Sequence, residues 1–159
     1  MKLASFGMRN VATAKQTYID PSALVLLYIH QEGSRRISSW RARTDGPVIV
    51  THHGRTEVVN AICRAVFLRQ IDENAMDRAL SLLTADFAGG HLIQADILWR
   101  SALNRAAELS QTYTPELGTR ALDVLHVACA LELKLPFFLS FDQRQQQLAT
   151  AAGLKPVRL

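Results

Sequence analysis

The sequence predicts an α/β fold with a mainly parallel central sheet flanked by helices. Two observations carry this. Short apolar runs suited to strands alternate with helical patterns of about ten residues or more. Carboxylates also follow several of those apolar runs, at the strand ends where such sheets bind ligands. At 159 residues, the chain is long enough to bury a core without disulfides or structural metal, so one domain suffices.

The first strand is "TYI" at 17–19, and Asp20-Pro21 then supplies an N-cap and a first-turn proline for a helix over 21–30. A helix over 34–43 precedes the second strand, "PVIV" at 47–50. The next helix, 55–70, carries a buried stripe of Val58, Val59, Ile62, Val66 and Phe67. A helix over 73–88, a short strand "HLI" at 91–93 and a helix over 95–111 follow. Gly118 and Thr119 lead into a helix over 120–134 that is apolar almost all round and therefore largely buried. The strand "PFFLS" at 136–140, a helix over 143–152 and a last strand within "KPVRL" complete the order. Residues 1–15 read as an N-terminal extension open to fraying, with Met8 an alternative start, and 16–159 as the domain. The sequence contains no internal repeat, low-complexity tract or interdomain linker.

A net charge of +4 is a mild bias toward polyanions. It is concentrated in "SRRISSWRAR", where Arg35, Arg36, Arg41 and Arg43 occur without an acid, as a solvated helix face or as a contact surface for RNA or an acidic partner. No segment approaches the roughly 20 apolar residues that span a bilayer, and Arg9 and Lys15 interrupt any signal-peptide pattern. The expectation is a soluble cytoplasmic protein without membrane association. Cys63 and Cys129 lack CxxC or Cys/His spacing and read as small core residues in a reducing compartment. The chain has no Walker loop, GxGxxG, GxSxG or HExxH, which removes the usual nucleotide, hydrolase-triad and zinc-protease readings.

Four acids then stand out. Asp20 ends the first strand. Glu57 lies in the first turns of the helix after "PVIV", sharing a side with Asn60, Ala61 and Arg64. Asp123 sits on the buried helix, where an acid needs a metal or a partner such as Arg120 or His126, each three residues away. Asp142 follows "PFFLS", and with Gln145 it also fits a capping box. Two carboxylates about 5 Å apart repel by roughly 3 kcal/mol at an effective dielectric near 20, so a cluster of four takes up protons or holds cations. All-oxygen ligation suits magnesium or manganese, and such an ion activates water for phosphodiester hydrolysis.

"YIDPSALVLLY", the Glu of "TEVVNAI", "GTRALDVLHVACAL" and "FFLSFDQRQQQLATAAGL" together resemble, in order and context, the PIN-domain ribonucleases, and within them the VapC-like toxins of type II toxin–antitoxin pairs. The resemblance runs from about Tyr18 to Pro156. It implies a PIN-like three-layer fold and an acidic quartet of Asp20, Glu57, Asp123 and Asp142 that binds Mg2+ or Mn2+ and positions the attacking water. Ser22 and Ser140 match the family's small hydroxyl residues beside the first and last acids. Endonucleolytic cleavage of an RNA substrate, a cognate antitoxin protein and a homodimer are implied in the same way. The rival reading is a non-catalytic PIN-like module that binds RNA or protein.

Other residues are assigned by local pattern. His52 and His53, read as neighbours at a strand end, point in opposite directions and take surface or turn roles. His126 reads as a satisfied helix histidine, and Trp40 and Trp99 as core or dimer packing. Asn60 is a candidate to buttress Glu57, and Arg120 either touches substrate phosphate or pairs with Asp123.

Overall fold

The computed structural model describes residues 12–159. Residues 1–11, most of the expected N-terminal extension, lie outside the described residues. A 3-10 turn, Ala14–Gln16, leads into β1 (Thr17–Ile19). The remaining strands are β2 (Val48–Thr51), β3 (Leu92–Ala95), β4 (Phe137–Leu139) and β5 (Lys155–Pro156). They form one five-stranded sheet in the order β3-β2-β1-β4-β5, and every pairing is parallel. The predicted α/β class is the observed one.

Helices α1 (Pro21–Leu24), α2 (Ser34–Ala42), α3 (His52–Phe67), α4 (Glu73–Ala88), α5 (Trp99–Leu117), α6 (Ala121–Glu132) and α7 (Gln143–Ala151) fill the crossovers. Period-two alternation divides the strand residues between two cores. Ile19, Val48, Val50 and Leu139 pack with residues of α1 to α4 on one face, whereas Tyr18, Ile49 and Phe138 pack with α5 to α7 on the other. The result is a three-layer sandwich with β1 buried on both faces. The crossovers change face between β3 and β4, so the strand order reverses beside β1. That is the switch point at which an open parallel sheet leaves a crevice beyond its carboxyl ends.

Several predicted boundaries move. The helix expected over 21–30 is α-helical only to Leu24 and tightens into a 3-10 turn over Val25–Leu27, with Tyr28 N–H donating to the Val25 carbonyl at 2.9 Å. Ala23, Leu24, Val25 and Leu26 of this segment are all buried. Helix α3 starts at His52 rather than at 55, because the Thr51 hydroxyl caps it by accepting from Gly54 N–H at 2.9 Å. Its buried stripe is Gly54, Val58, Ile62 and Ala65, and Phe67 is exposed, contrary to expectation. Cys63, expected in the core, is exposed, while Cys129 is buried. Helix α5 runs to Leu117 instead of stopping at 111. Its stripe of Ala102, Ala106, Leu109, Tyr113 and Leu117 continues past Pro115 against the second core, and Gly118, at φ 61°, ends it.

Candidate active site

The end of β1 fixes Asp20. Its N–H donates to the Leu139 carbonyl of β4 at 2.9 Å, tying the residue to the neighbouring strand. One carboxylate oxygen, Oδ2, caps α1 by accepting from Ser22 N–H at 3.0 Å, and the Ser22 hydroxyl donates to the same oxygen. The other, Oδ1, accepts from Gln145 Nε2 at 2.9 Å. Asp20 is therefore both a helix cap and a buried wall of the crevice.

Asp142 lies across the switch point, after β4. It caps α7 by accepting from Gln145 N–H at 3.0 Å, and its own N–H donates to Ser140 Oγ. The second arm of the expected capping box is not the one used. Instead of turning back to Asp142, the Gln145 side chain crosses to Asp20 and to the Asp123 carbonyl, 3.3 Å away. Its Oε1 is buried without a hydrogen-bond partner. Asp123 stands in the first turn of α6, where it accepts from Arg120 Nε at 3.0 Å. Arg120 Nη2 also comes within 3.9 Å of Asp142, and its side chain is 79% exposed.

Glu57, one turn into α3, completes the wall. His126 Nε2 lies 2.8 Å from its Oε2, and His126 Nδ1 lies 2.8 Å from the hydroxyl of buried Tyr18. His53 Nε2 is 3.1 Å from Glu57 Oε1 but lacks hydrogen-bond alignment, and that nitrogen is buried without a partner. The His53 ring stacks on His126, with centroids 5.0 Å apart, and meets Trp99 edge-on. Burial would raise the Glu57 carboxyl, but the His126 hydrogen bond and the two imidazoles hold it below the ordinary carboxylate range. Burial pushes His53 down, against the pull of Glu57, and pushes the Tyr18 phenol up, keeping it a neutral hydroxyl.

Asp20, Ser22, Glu57, Arg120, Asp123, His126, Asp142 and Gln145 line one cleft of about 350 Å³. Ser140 is buried beside it, holding Asp142 N–H. Asn60 faces a neighbouring groove along α3 with Ala61 and Arg64. His52 is exposed and pairs with Asp96, consistent with a surface role. His53 departs from expectation, because it occupies the first helical turn, four residues before Glu57, rather than a strand end. In the sequence Gln145 is legible only as a cap partner, and His126 as a satisfied helix histidine or a partner for Asp123; in the structure Asp123 pairs with Arg120, and His126 turns to Glu57 instead. The fold makes Gln145 and His126 the groups that hold Asp20 and Glu57.

Four carboxylates face this cleft, and Arg120 is the single guanidinium among its lining residues. Oxygen donors of this kind suit a hard divalent cation by chemistry, with the buried unpartnered oxygen of Gln145 beside them. Among the described residues, though, no three of these four acids bring ligand atoms within 4.8 Å of one another, and the group that does is His53, Glu57 and His126. An all-parallel sheet opening at its switch point into a carboxylate-lined cleft defines the class of protein. A family model described as the PIN domain matches residues 17–151, and the chain belongs to that family. PIN domains are generally nucleases and typically bind divalent metals. A search of curated proteins finds no match to the chain.

Proposed function

We propose that this protein is a metal-dependent endoribonuclease, the toxin of a type II toxin–antitoxin pair. The observation that supports it most is the gathering of Asp20, Glu57, Asp123 and Asp142 around one cleft at the carboxyl edge of the sheet. These four carboxylates would hold Mg2+ or Mn2+. A bound ion of that kind supplies a polarised water and offsets the charge that develops on a phosphate under in-line attack.

The chain's own groups do the positioning. Ser22 and Gln145 fix both oxygens of Asp20, so this acid has no rotamer freedom to lose when it engages a cation. His126, anchored by Tyr18, orients Glu57. The exposed Arg120 spans Asp123 and Asp142 and has N–H groups to spare for a substrate phosphate. RNA as the substrate draws on the mild basic bias, with Arg35 and Arg43 exposed on or just beyond α2. The reading includes a cognate antitoxin that occludes the cleft, a homodimer and a cytoplasmic site of action. No helix among the described residues is long and apolar enough to cross a membrane.

The test is incubation of purified, antitoxin-free protein with total cellular RNA in Mg2+, Mn2+ or EDTA. Discrete fragments that require metal are the expected result. Folded protein that neither cleaves RNA nor binds metal by calorimetry would make the chain a non-catalytic module for RNA or protein.

A further inference from the structure

His53, Glu57 and His126 form a cluster chemically unlike the rest of the cleft. Among the described residues, theirs is the group of three ligating side chains whose donor atoms all lie within 4.8 Å of one another. Glu57 stands between the two imidazoles, its Oε1 3.1 Å from His53 Nε2 and its Oε2 2.8 Å from His126 Nε2. His53 and Glu57 share one face of α3 at i and i+4, and His126 reaches them from α6.

We propose that these three residues form a site for a borderline transition cation of the zinc class, distinct in chemistry from the all-oxygen quartet with which it shares Glu57. Two imidazoles and one carboxylate suit zinc or cobalt, whereas magnesium favours oxygen donors and retained waters.

Three further observations point to a ligand. His53 Nε2 is buried and lacks a hydrogen-bond partner although a carboxylate oxygen is 3.1 Å away, as a nitrogen aimed into a metal position would be. His126 has the outer support that ligating histidines use, since Tyr18 Oη lies 2.8 Å from its Nδ1. A hydroxyl accepts as well as donates, so Tyr18 Oη can accept a hydrogen bond from His126 Nδ1–H when the Nε2 lone pair turns to a cation. Access is open as well: Glu57 and His126 both line the cleft, and the Glu57 and His53 side chains are about a quarter exposed.

The test is direct titration of untagged protein with Zn2+ by calorimetry and with Co2+ by visible absorption. Wild type is expected to bind one zinc ion per chain and to give a ligand-field band with cobalt. His53→Ala should weaken zinc binding by at least about tenfold, the lower end of what losing even an outer-sphere partner costs. His53→Phe, which keeps a ring against His126 and Trp99 without ring nitrogens, should match it. The exposed His52→Ala should bind zinc like wild type. Absence of zinc binding in wild type overturns the proposal, and so does loss in Asp123→Asn with retention in both folded His53 variants, which would move the ion to the quartet. Because the readout is binding and spectroscopy, failure here leaves Mg2+- or Mn2+-dependent RNA cleavage standing, and failure of cleavage leaves the zinc site standing.

Discussion

At the scale of single residues, the cleft depends on side chains that are not themselves acids. Gln145 bridges Asp20 and the Asp123 carbonyl from within the core, being 1% exposed. Gln145→Met keeps the volume and removes the donor. The variant is expected to lose about 1 to 2 kcal/mol in urea unfolding, because a hydrogen bond to a charged group disappears while an unpartnered oxygen disappears with it. A loss under 0.5 kcal/mol, on the order of an exposed surface change, would mean that Asp20 is held by Ser22 alone. Glu57 gives a pH prediction for the metal-free protein. Its folded pKa lies below its unfolded value, so its contribution is present above the ordinary carboxylate range and is lost as pH falls through the depressed value. Urea midpoints measured from pH 6 down to about pH 3 should fall more steeply for wild type than for Glu57→Gln. Parallel curves would remove His53 and His126 as the cause. The acids are legible in the sequence as a set: Asp20, Glu57 and Asp142 each fit an ordinary place at a helix start, and Asp123 stands out because an acid on an almost wholly apolar helix needs a partner. Gln145 was read through its capping role, since nothing local in "FDQRQQQ" tells which glutamine turns inward across the sheet.

At the scale of elements, α3 decides which residues reach Glu57. Its cap is Thr51, the last residue of β2, so His52 and His53 are its first turn. The sequence predicts this helix from 55, three residues late, because the apolar stripe that announces it starts only at Val58. Reading His53 with a strand's period of two hid its position one helical turn before Glu57. Thr51→Ala should cost about 1 kcal/mol of stability, the usual worth of a helix N-cap, measured by thermal or urea unfolding. An unchanged midpoint would contradict the capping role. The extension of α5 was missed for a related reason: Thr112, Thr114 and Pro115 look like stop signals, whereas the stripe through Tyr113 and Leu117 packs on and overrides them. Strand order was likewise invisible locally. The element alternation predicts a parallel sheet, but the pairing of β1 with both β2 and β4 is set by which helices cover which face.

At the scale of the whole molecule, a chain of net charge +4 collects four carboxylates at one crevice. They come from four places: the end of β1, the first turns of α3 and α6, and the start of α7. Parallel topology brings three of them together, because it sends the carboxyl ends of β1, β2 and β4 to the same edge, and the turn from α5 into α6 adds Asp123. A phosphate approaching four carboxylates is repelled unless cations intervene, so the metal-dependent reading makes activity depend on the acids as a set. Asp123 is the best member to remove. Both oxygens of Asp20 accept from donors, so an asparagine amide there would set a donor against a donor, whereas the Asp123 side chain pairs with an exposed arginine. The decisive measurement is single-turnover RNA cleavage by wild type and Asp123→Asn at matched, saturating Mg2+ or Mn2+, with unfolding midpoints taken in parallel. The prediction is a loss of at least about 100-fold, comparable to deleting one transition-state electrostatic contact, with the midpoint retained. Full activity in Asp123→Asn with metal dependence intact would contradict the assignment of the centre.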